Sequence, residues 1–459
     1  MTHKPYPRYK ETGVKWIEKV PELWKVKRLK HIADVRLSNV DKHTVEGQKV
    51  VRLCNYLDVY NNGHITSKID FMSATASDEQ IERLSLQKDD VIITKDSEDP
   101  SDIGIPALVE EDIIGLVCGY HLAILRPTAS NGEYLHYLLQ STLIRSAFEI
   151  EATGMTRYAL GKYSIENLTF ALPHQSEQIA IASFLDQETS RIDTLISEKE
   201  RLISLLQEYR QALISHAVTK GLDPKVKMKD SGVEWLGEVP EHWEVKRLKH
   251  IANVRLSNVD KHTVEGQKVV RLCNYLDVYN HRNITSKIDF MSATASDEQI
   301  ERLSLQKDDV IITKDSEDPS DIGIPALVAE DIFGLVCGYH LAILRPTASN
   351  GEYLYYLLQS TFVRSAFEIV ATGMTRYALG KYSIENLAFA LPNQSEQTSI
   401  SSFLDRKTSH IDTLISKAQK FIDLLKEYRS SLITAAVTGK IDVREVVSSG
   451  SEKRDIVHE

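Results

Sequence analysis

The sequence predicts a mixed α/β (α+β) protein built twice: two globular domains, each running into a long helix, with the two helices paired. Three observations lead there. First, residues 8–219 and 227–438 align at a fixed offset of 219 with no insertion. Trp24 falls on Trp243, Cys54 on Cys273, Cys118 on Cys337 and Arg157 on Arg376, and RLSNVDKHTVEGQKVVRLCNYLDVYN recurs unchanged at 36–61 and 255–280. A unit of this length buries its own core, unlike a solenoid repeat. Second, each unit mixes strand-like and helix-like runs. Third, each unit closes on a heptad-like apolar pattern, at about 176–217 and 395–436.

The elements follow in order. An opening segment occupies 1–23 and returns at the start of 227–392; GVKWIEKVPELW (13–24) and GVEWLGEVPEHW (232–243) are punctuated by Gly and Pro, and their Trp residues are expected to anchor to a core. The globular stretches are 24–173 and 243–392. In the first, DDVIITKD and GLVCGYHLAILRP read as strands, and SDEQIERLSL and EYLHYLLQSTLIRSAFEI as amphipathic helices. The first long helix and its linker fill 174–226, the second long helix 393–440, and a polar tail expected to be disordered 441–459.

In the second helix Ile411, Leu414, Ala418, Phe421, Leu425, Tyr428, Leu432 and Ala435 alternate at spacings of three and four. Their mates are Ile192, Leu195, Lys199, Leu202, Leu206, Tyr209, Leu213 and His216. This reads as an a/d seam through which the helices pair, or as a core-packing amphipathic stripe. From Thr189 to Ala217 a helix is roughly 43 Å long at 1.5 Å per residue, against roughly 34 Å for one turn of B-DNA. Two copies of one domain suit a ligand that is itself twofold, such as duplex DNA.

Composition narrows the class. The 42% apolar and 26% charged fractions are those of an ordinary globular protein. No apolar h-region opens the chain and no run reaches a membrane span, so a cytoplasmic protein without a membrane role is expected. The four cysteines are two seen twice, without metal-ligand spacing, and are expected reduced and buried; no metal is expected. A net charge of −10 disfavours stand-alone, non-specific DNA binding and leaves room for local basic patches or partner proteins.

Motifs of chemistry are missing. There is no Asn-Pro-Pro-Tyr or Asp-Pro-Pro-Tyr, no P-loop, no G-x-G-x-x-G and no H-E-x-x-H. Glu244-Val245-Lys246 mimics half of a nuclease site, but its mate is Lys25-Val26-Lys27. The binding candidates are three. WKVKRLKH and WEVKRLKH gather Lys27, Arg28, Lys246 and Arg247, as a phosphate patch or a solvated helix start. TGMTRYALGKYS offers Thr156, Arg157, Tyr158 and Lys162, with Thr375, Arg376, Tyr377 and Lys381 in the second copy, as a DNA-contacting loop or a polar helix cap. The acidic loop TKDSEDPSDIG adds Lys95, Ser97 and Lys314 as weaker candidates, its carboxylates being taken as solvated; His121 and His340 read as satisfied core histidines.

The end of each repeat resembles a known family. LPHQSEQIAIASFLDQETSRIDTLISEKERLISLLQEYRQALISHAVTKG (172–221) and LPNQSEQTSISSFLDRKTSHIDTLISKAQKFIDLLKEYRSSLITAAVTGK (391–440) are similar to the long-helix region of type I restriction–modification specificity subunits. Pro, Ser-Glu-Gln, Phe-Leu-Asp, Ile-Asp-x-Leu-Ile and Glu-Tyr-Arg…Ala-Val-Thr all occur twice, and the resemblance spans residues 8–440. It implies that the globular stretches are target-recognition domains and that the helices form an antiparallel coiled-coil pair, giving a pseudo-twofold molecule. It also implies no catalysis in this chain. Partner modification subunits would methylate adenine with S-adenosylmethionine, and restriction subunits would cleave DNA using ATP and Mg²⁺. Leu206, Tyr209, Leu213, Leu425, Tyr428 and Leu432 are the residues expected to face those partners. A methyltransferase or nuclease with an unrecognised site, or a structural adaptor, are the alternatives.

The chain departs from the family's habit in one respect: its two globular stretches differ at only about 12 positions, among them Asn62/His281, Gly63/Arg282, His64/Asn283, Glu110/Ala329, His136/Tyr355 and Glu151/Val370. A nearly palindromic, interrupted target follows. One half-site would differ at a position if the turn holding Gly63/Arg282 and His64/Asn283 touches bases.

Overall fold

The computed structural model describes residues 4–14 and 17–444. Trp16 and the tail from residue 445 lie outside the described residues. The chain divides into two compact units, 1–199 with 420–459, and 200–419. The division falls inside the long helices, Gln175–Lys220 and Gln394–Val437, and not at the repeat boundaries. Each unit therefore holds one globular stretch, the first half of its own long helix and the last half of the other.

Within the first unit a five-stranded sheet runs in the order Ala33–Leu37, Leu122–Pro127, Val91–Thr94, Pro106–Val109, His64–Ile65, and only the last pairing is parallel. The run Val91-Ile92-Ile93 is apolar throughout because this sheet is covered on both faces. Val91, Ile93, Ala123 and Leu125 face the core that holds the long helices, with Ile181, Leu185, Ile192 and Leu432. Ile92, Ala107 and Ile124 face a second core under a three-stranded sheet of Leu116–Cys118, Lys49–Cys54 and Met72–Ala76. The second unit repeats both cores. Trp24 and Trp243 are fully enclosed, as expected of anchors. The four cysteines are free and buried, and burial pushes the Cys54 and Cys118 thiols up.

Two local expectations need correction. EYLHYLLQSTLIRSAFEI is two helices, Gly132–Gln140 and Thr142–Glu151, because the Ser141 side chain turns back to cap the second by accepting from the Ile144 N–H. The helical seam is also shifted. Ile192, Lys199, Leu206, Leu213, Ile411, Ala418, Leu425 and Leu432 are at least partly covered. The intervening expected positions Leu202, Tyr209, His216, Leu414, Phe421 and Tyr428 are exposed. Their places are taken one residue later, by Ile203, Arg210, Ala217, Ile415, Ile422 and Arg429. Adjacent apolar pairs such as Leu202-Ile203 and Phe421-Ile422 satisfy either seam by periodicity. Two cross-helix ion pairs accompany the seam that the structure adopts. In the first unit Arg429 Nε meets Asp193 at 3.0 Å, and Lys199 Nζ lies 5.7 Å from the Phe421 ring centre, so residue numbers rise on one helix as they fall on the other, an antiparallel register. In the second unit Arg210 Nε meets Asp412 at 3.0 Å.

Leu432 is thus enclosed in a core and unavailable to a partner, while Leu206, Leu213 and Leu425 are half-buried. Of the six residues expected to face partners, Tyr209 and Tyr428 stay exposed. They lie with Leu202 and Leu205 on one helix, and with Phe421 and Leu424 on the other, in open apolar stripes at spacings of three and four.

Candidate nucleic-acid interface

The strand Val91–Thr94 ends at Lys95, and the chain continues as a short extended pair, Asp96–Ser97, against Tyr158–Ala159. This pairing brings the acidic loop and the TGMTRYALGKYS loop together. Asp96 is buried, not solvated as the sequence suggested, and three cationic or ring nitrogens converge on it. Lys95 Nζ donates to it at 2.8 Å, Arg157 Nε lies at 3.5 Å, and His121 Nδ1 makes a short bond. The second copy repeats the set at 3.1 Å from Lys314, 3.2 Å from Arg376 and 2.5 Å from His340 to Asp315. There burial disfavours the Asp315 charge, but the hydrogen bonds from His340 and Lys314 outweigh it and hold the carboxyl below its usual range.

His121 and His340 are therefore not core histidines. Each precedes a strand, is partly exposed, and sits edge-on to a tyrosine, with ring centres 5.0 Å apart for Tyr120–His121 and for Tyr339–His340. Lys95 Nζ lies 4.5 Å from the Tyr120 ring centre and Lys314 Nζ 4.3 Å from that of Tyr339. Lys95 and Lys314 are pinned between a carboxylate and a ring, so they position neighbours and do not reach out as free phosphate ligands. Arg157 and Arg376 are half-exposed and are the cations this cluster can offer to a ligand. A buried carboxylate that fixes an arginine's plane prepares it for bidentate hydrogen bonding to a guanine edge or a phosphate.

The hydroxyl next to Asp96 in the chain is engaged elsewhere. Ser97 Oγ accepts from the Asp99 N–H at 3.3 Å and meets the Tyr56 hydroxyl at 3.4 Å. Among the described residues no group of three or more His, Cys, Asp or Glu could hold a metal ion. Glu244 and Lys246 simply pair with each other at 2.8 Å on an exposed strand.

The remaining candidates lie apart from this cluster or at its edge. Thr156 and Thr375 are exposed on the same loops, while Tyr158 and Tyr377 pack inward. Lys162 and Lys381 are exposed one helical turn from Glu166 and Glu385, at 3.5 Å each. Lys27, Arg28, Lys246 and Arg247 sit on separate two-stranded sheets formed with Thr169–Leu172 and Ala388–Leu391. Arg28 and Arg247 each donate to an asparagine, Asn167 and Asn386, at 3.2 Å. Sequence reasoning missed Asp96, Tyr120 and His121 as site residues; the signal was the verbatim recurrence of the acidic loop with its Lys-Asp pair.

The substitutions between repeats fall elsewhere. In the first unit His64 Nδ1 meets Glu110 at 2.9 Å, and its ring lies 5.2 Å from that of His136. In the second unit Arg282 donates to Asp405 on the long helix, with its guanidinium 5.2 Å from the Tyr355 ring centre and 5.1 Å from that of Tyr356. Gly63/Arg282, His64/Asn283, Glu110/Ala329 and His136/Tyr355 thus belong to one junction between the sheet edge and the long helix. The turn considered for base contact has its one long cation committed to that helix. None of the 12 aligned differences falls on Lys95, Asp96, Tyr120, His121 or residues 153–164.

Comparison with known proteins defines the class. The family described as Type I restriction modification DNA specificity domain matches residues 21–204 and again 240–421, and the chain belongs to it. Its members are recognition components and not catalytic ones. A putative type I restriction enzyme MjaX specificity subunit of Methanocaldococcus jannaschii is 24% identical over 95% of this chain and 98% of its own. The EcoKI specificity subunit of Escherichia coli K12 is 22% identical over 78% and 76%. The fold is shared with a chain solved in work on complex assembly and conformational transition of the type I R-M system, at TM-score 0.70, 16% identity and coverage of 92% and 100%. It is shared also with the HsdS subunit of Thermoanaerobacter tengcongensis, at TM-score 0.55, 17% identity and coverage of 92% and 98%. No helix among the described residues is long and apolar enough to cross a membrane.

Proposed function

We propose that this chain selects the DNA target of a type I restriction–modification complex, with the Asp96 and Asp315 clusters each presenting an arginine and a hairpin to one half-site. Adenine methylation and DNA cleavage would then be the work of partner subunits, using S-adenosylmethionine, ATP and Mg²⁺. The open apolar stripes on the long helices suit the docking of those partners in the cytoplasm. The spacing of the half-sites would follow the length of the helices.

The target is a nearly palindromic, interrupted site. One observation carries this: the residues of both clusters and hairpins are identical, and Arg282, the cation that the substitutions add to the turn considered for base contact, is tied to Asp405. Two such domains on antiparallel DNA strands each read the same base order on their own strand. Mapping N6-methyladenine across the genome with and without this gene tests the reading. The expected result is one half-site, a gap, and its inverted copy. Two unrelated half-sites would refute the symmetry, and methyl transfer or cleavage by the purified chain alone would refute the division of labour.

A further inference from the structure

The hairpin that carries Arg157 also carries a side chain that folding does nothing to bury. Met155 is 94% exposed, and its mate Met374 is 94% exposed. The hairpin beneath is closely held. Thr153 and Ala159 exchange backbone hydrogen bonds at 3.1 and 2.9 Å, and the Leu160 N–H donates to the Lys95 carbonyl at 2.7 Å. Gly154 has φ +146, and a Cβ there would sit 2.0 Å from the Arg157 carbonyl oxygen, so only glycine closes the turn. A fully solvated thioether contributes nothing to the packing of the fold. It is nonetheless present in both repeats, inside a stretch that carries no substitution, whereas the equally open Ile114 is replaced by Phe333.

We propose that Met155 and Met374 are wedges that enter between adjacent base pairs of each half-site and kink the duplex there. This rests on the DNA-recognition reading above. Three features favour a base step as the occupant. The side chain is apolar and long enough to enter a base step, and Met is among the side chains that serve as such wedges. It projects from a rigid hairpin, so insertion orders little else. Thr156 and the half-exposed Arg157 adjoin it, placing a hydroxyl and a cation where a separated base step presents edges and phosphates. Arg157 would grip one side of the step that the methionine opens.

The test uses the full chain assembled with its modification subunits and a target duplex labelled at both ends for energy transfer. The native complex should shorten the end-to-end distance by a kink in the roughly 20–90° range of wedge-inserting proteins. Replacing both residues, Met155→Ala with Met374→Ala, should straighten the DNA and weaken target binding by about tenfold or more, leaving random-sequence binding unchanged. Each single variant should give an intermediate bend, and Met→Leu at both positions should restore it. A double-alanine complex that bends and binds as the native one does would overturn the proposal. So would failure of that variant to assemble before DNA is added, which would assign the methionines to a protein interface. If the native complex fails to prefer its target over random DNA, the recognition reading falls as well.

Discussion

The two repeats share an interface and differ at a joint. In both, an aspartate, buried in the first repeat and partly buried in the second, gathers a lysine, a histidine and an arginine beneath a methionine-tipped hairpin. Where the sheet edge meets the long helix they part ways. The first repeat fills the joint with His64, Glu110 and His136, and the second with Arg282, Tyr355 and a bridge to Asp405. Four of the roughly 12 substitutions meet at this joint, where a packing change in one residue is answered by its neighbour, and none falls on the cluster or hairpin proposed to meet DNA. On the proposed reading, near-identical repeats separate what positions the recognition domain from what it reads.

Five experiments break or sharpen this comparison. The largest effect is expected from the stripes that both helices expose. Leu205→Asp with Leu424→Asp puts charge into the proposed docking face and should abolish co-purification with the modification subunit, while each single change weakens it equally. Unaltered co-purification would remove the stripes from the partner surface.

Next come the arginines. Arg157→Ala and Arg376→Ala should each cost about 1–3 kcal/mol of target binding, equally, and about 2–6 kcal/mol together. Competition binding with the assembled complex measures this, and unequal single losses would show that the repeats read different bases.

The third separates the joints by pH. Burial, with the His64 and Arg429 charges, lowers His136 from 6.5 to about 3. The unfolded chain therefore takes up a proton that the folded chain refuses. This contribution to stability is complete above pH 6.5 and is lost as pH falls towards 3, by up to about 5 kcal/mol. His136→Tyr, the residue of the second repeat, should flatten that stretch of the denaturation profile; an unchanged profile would mean that His136 is not held neutral.

The fourth probes the other joint. Arg282→Gly should destabilise the second unit by about 1–2 kcal/mol, less than a fully buried pair because Arg282 and Asp405 keep some solvent. A double-mutant cycle with Asp405→Asn should show coupling, and the methylated sequence should not change. A changed half-site would return this turn to the DNA surface. The smallest effect on affinity should come from four residues inserted after Leu195 and after Leu414, about 6 Å of helix. Methylome mapping should find the gap altered by one or two base pairs and both half-sites intact.

The sequence by itself determined the duplication, the long helices, the burial of Trp24 and Trp243, and the family, because each rests on spacing along the chain. It also nominated Arg157 and Arg376, since a Gly-Met-Thr-Arg-Tyr loop says that a polar contact surface is near. Tertiary structure alone decided the rest. Periodicity could not choose between seams one residue apart while adjacent apolar pairs satisfied both; packing between segments far apart in sequence decided, burying Ile422 and Ala217 and leaving Phe421 and His216 exposed. Composition made the acidic loop look solvated, yet pairing of two short strands buried Asp96 and turned it into the pivot of the site. The substitutions looked scattered along the chain, and only folding gathered Gly63, His64, Glu110 and His136 at one joint, because complementarity between side chains is a property of neighbours in space.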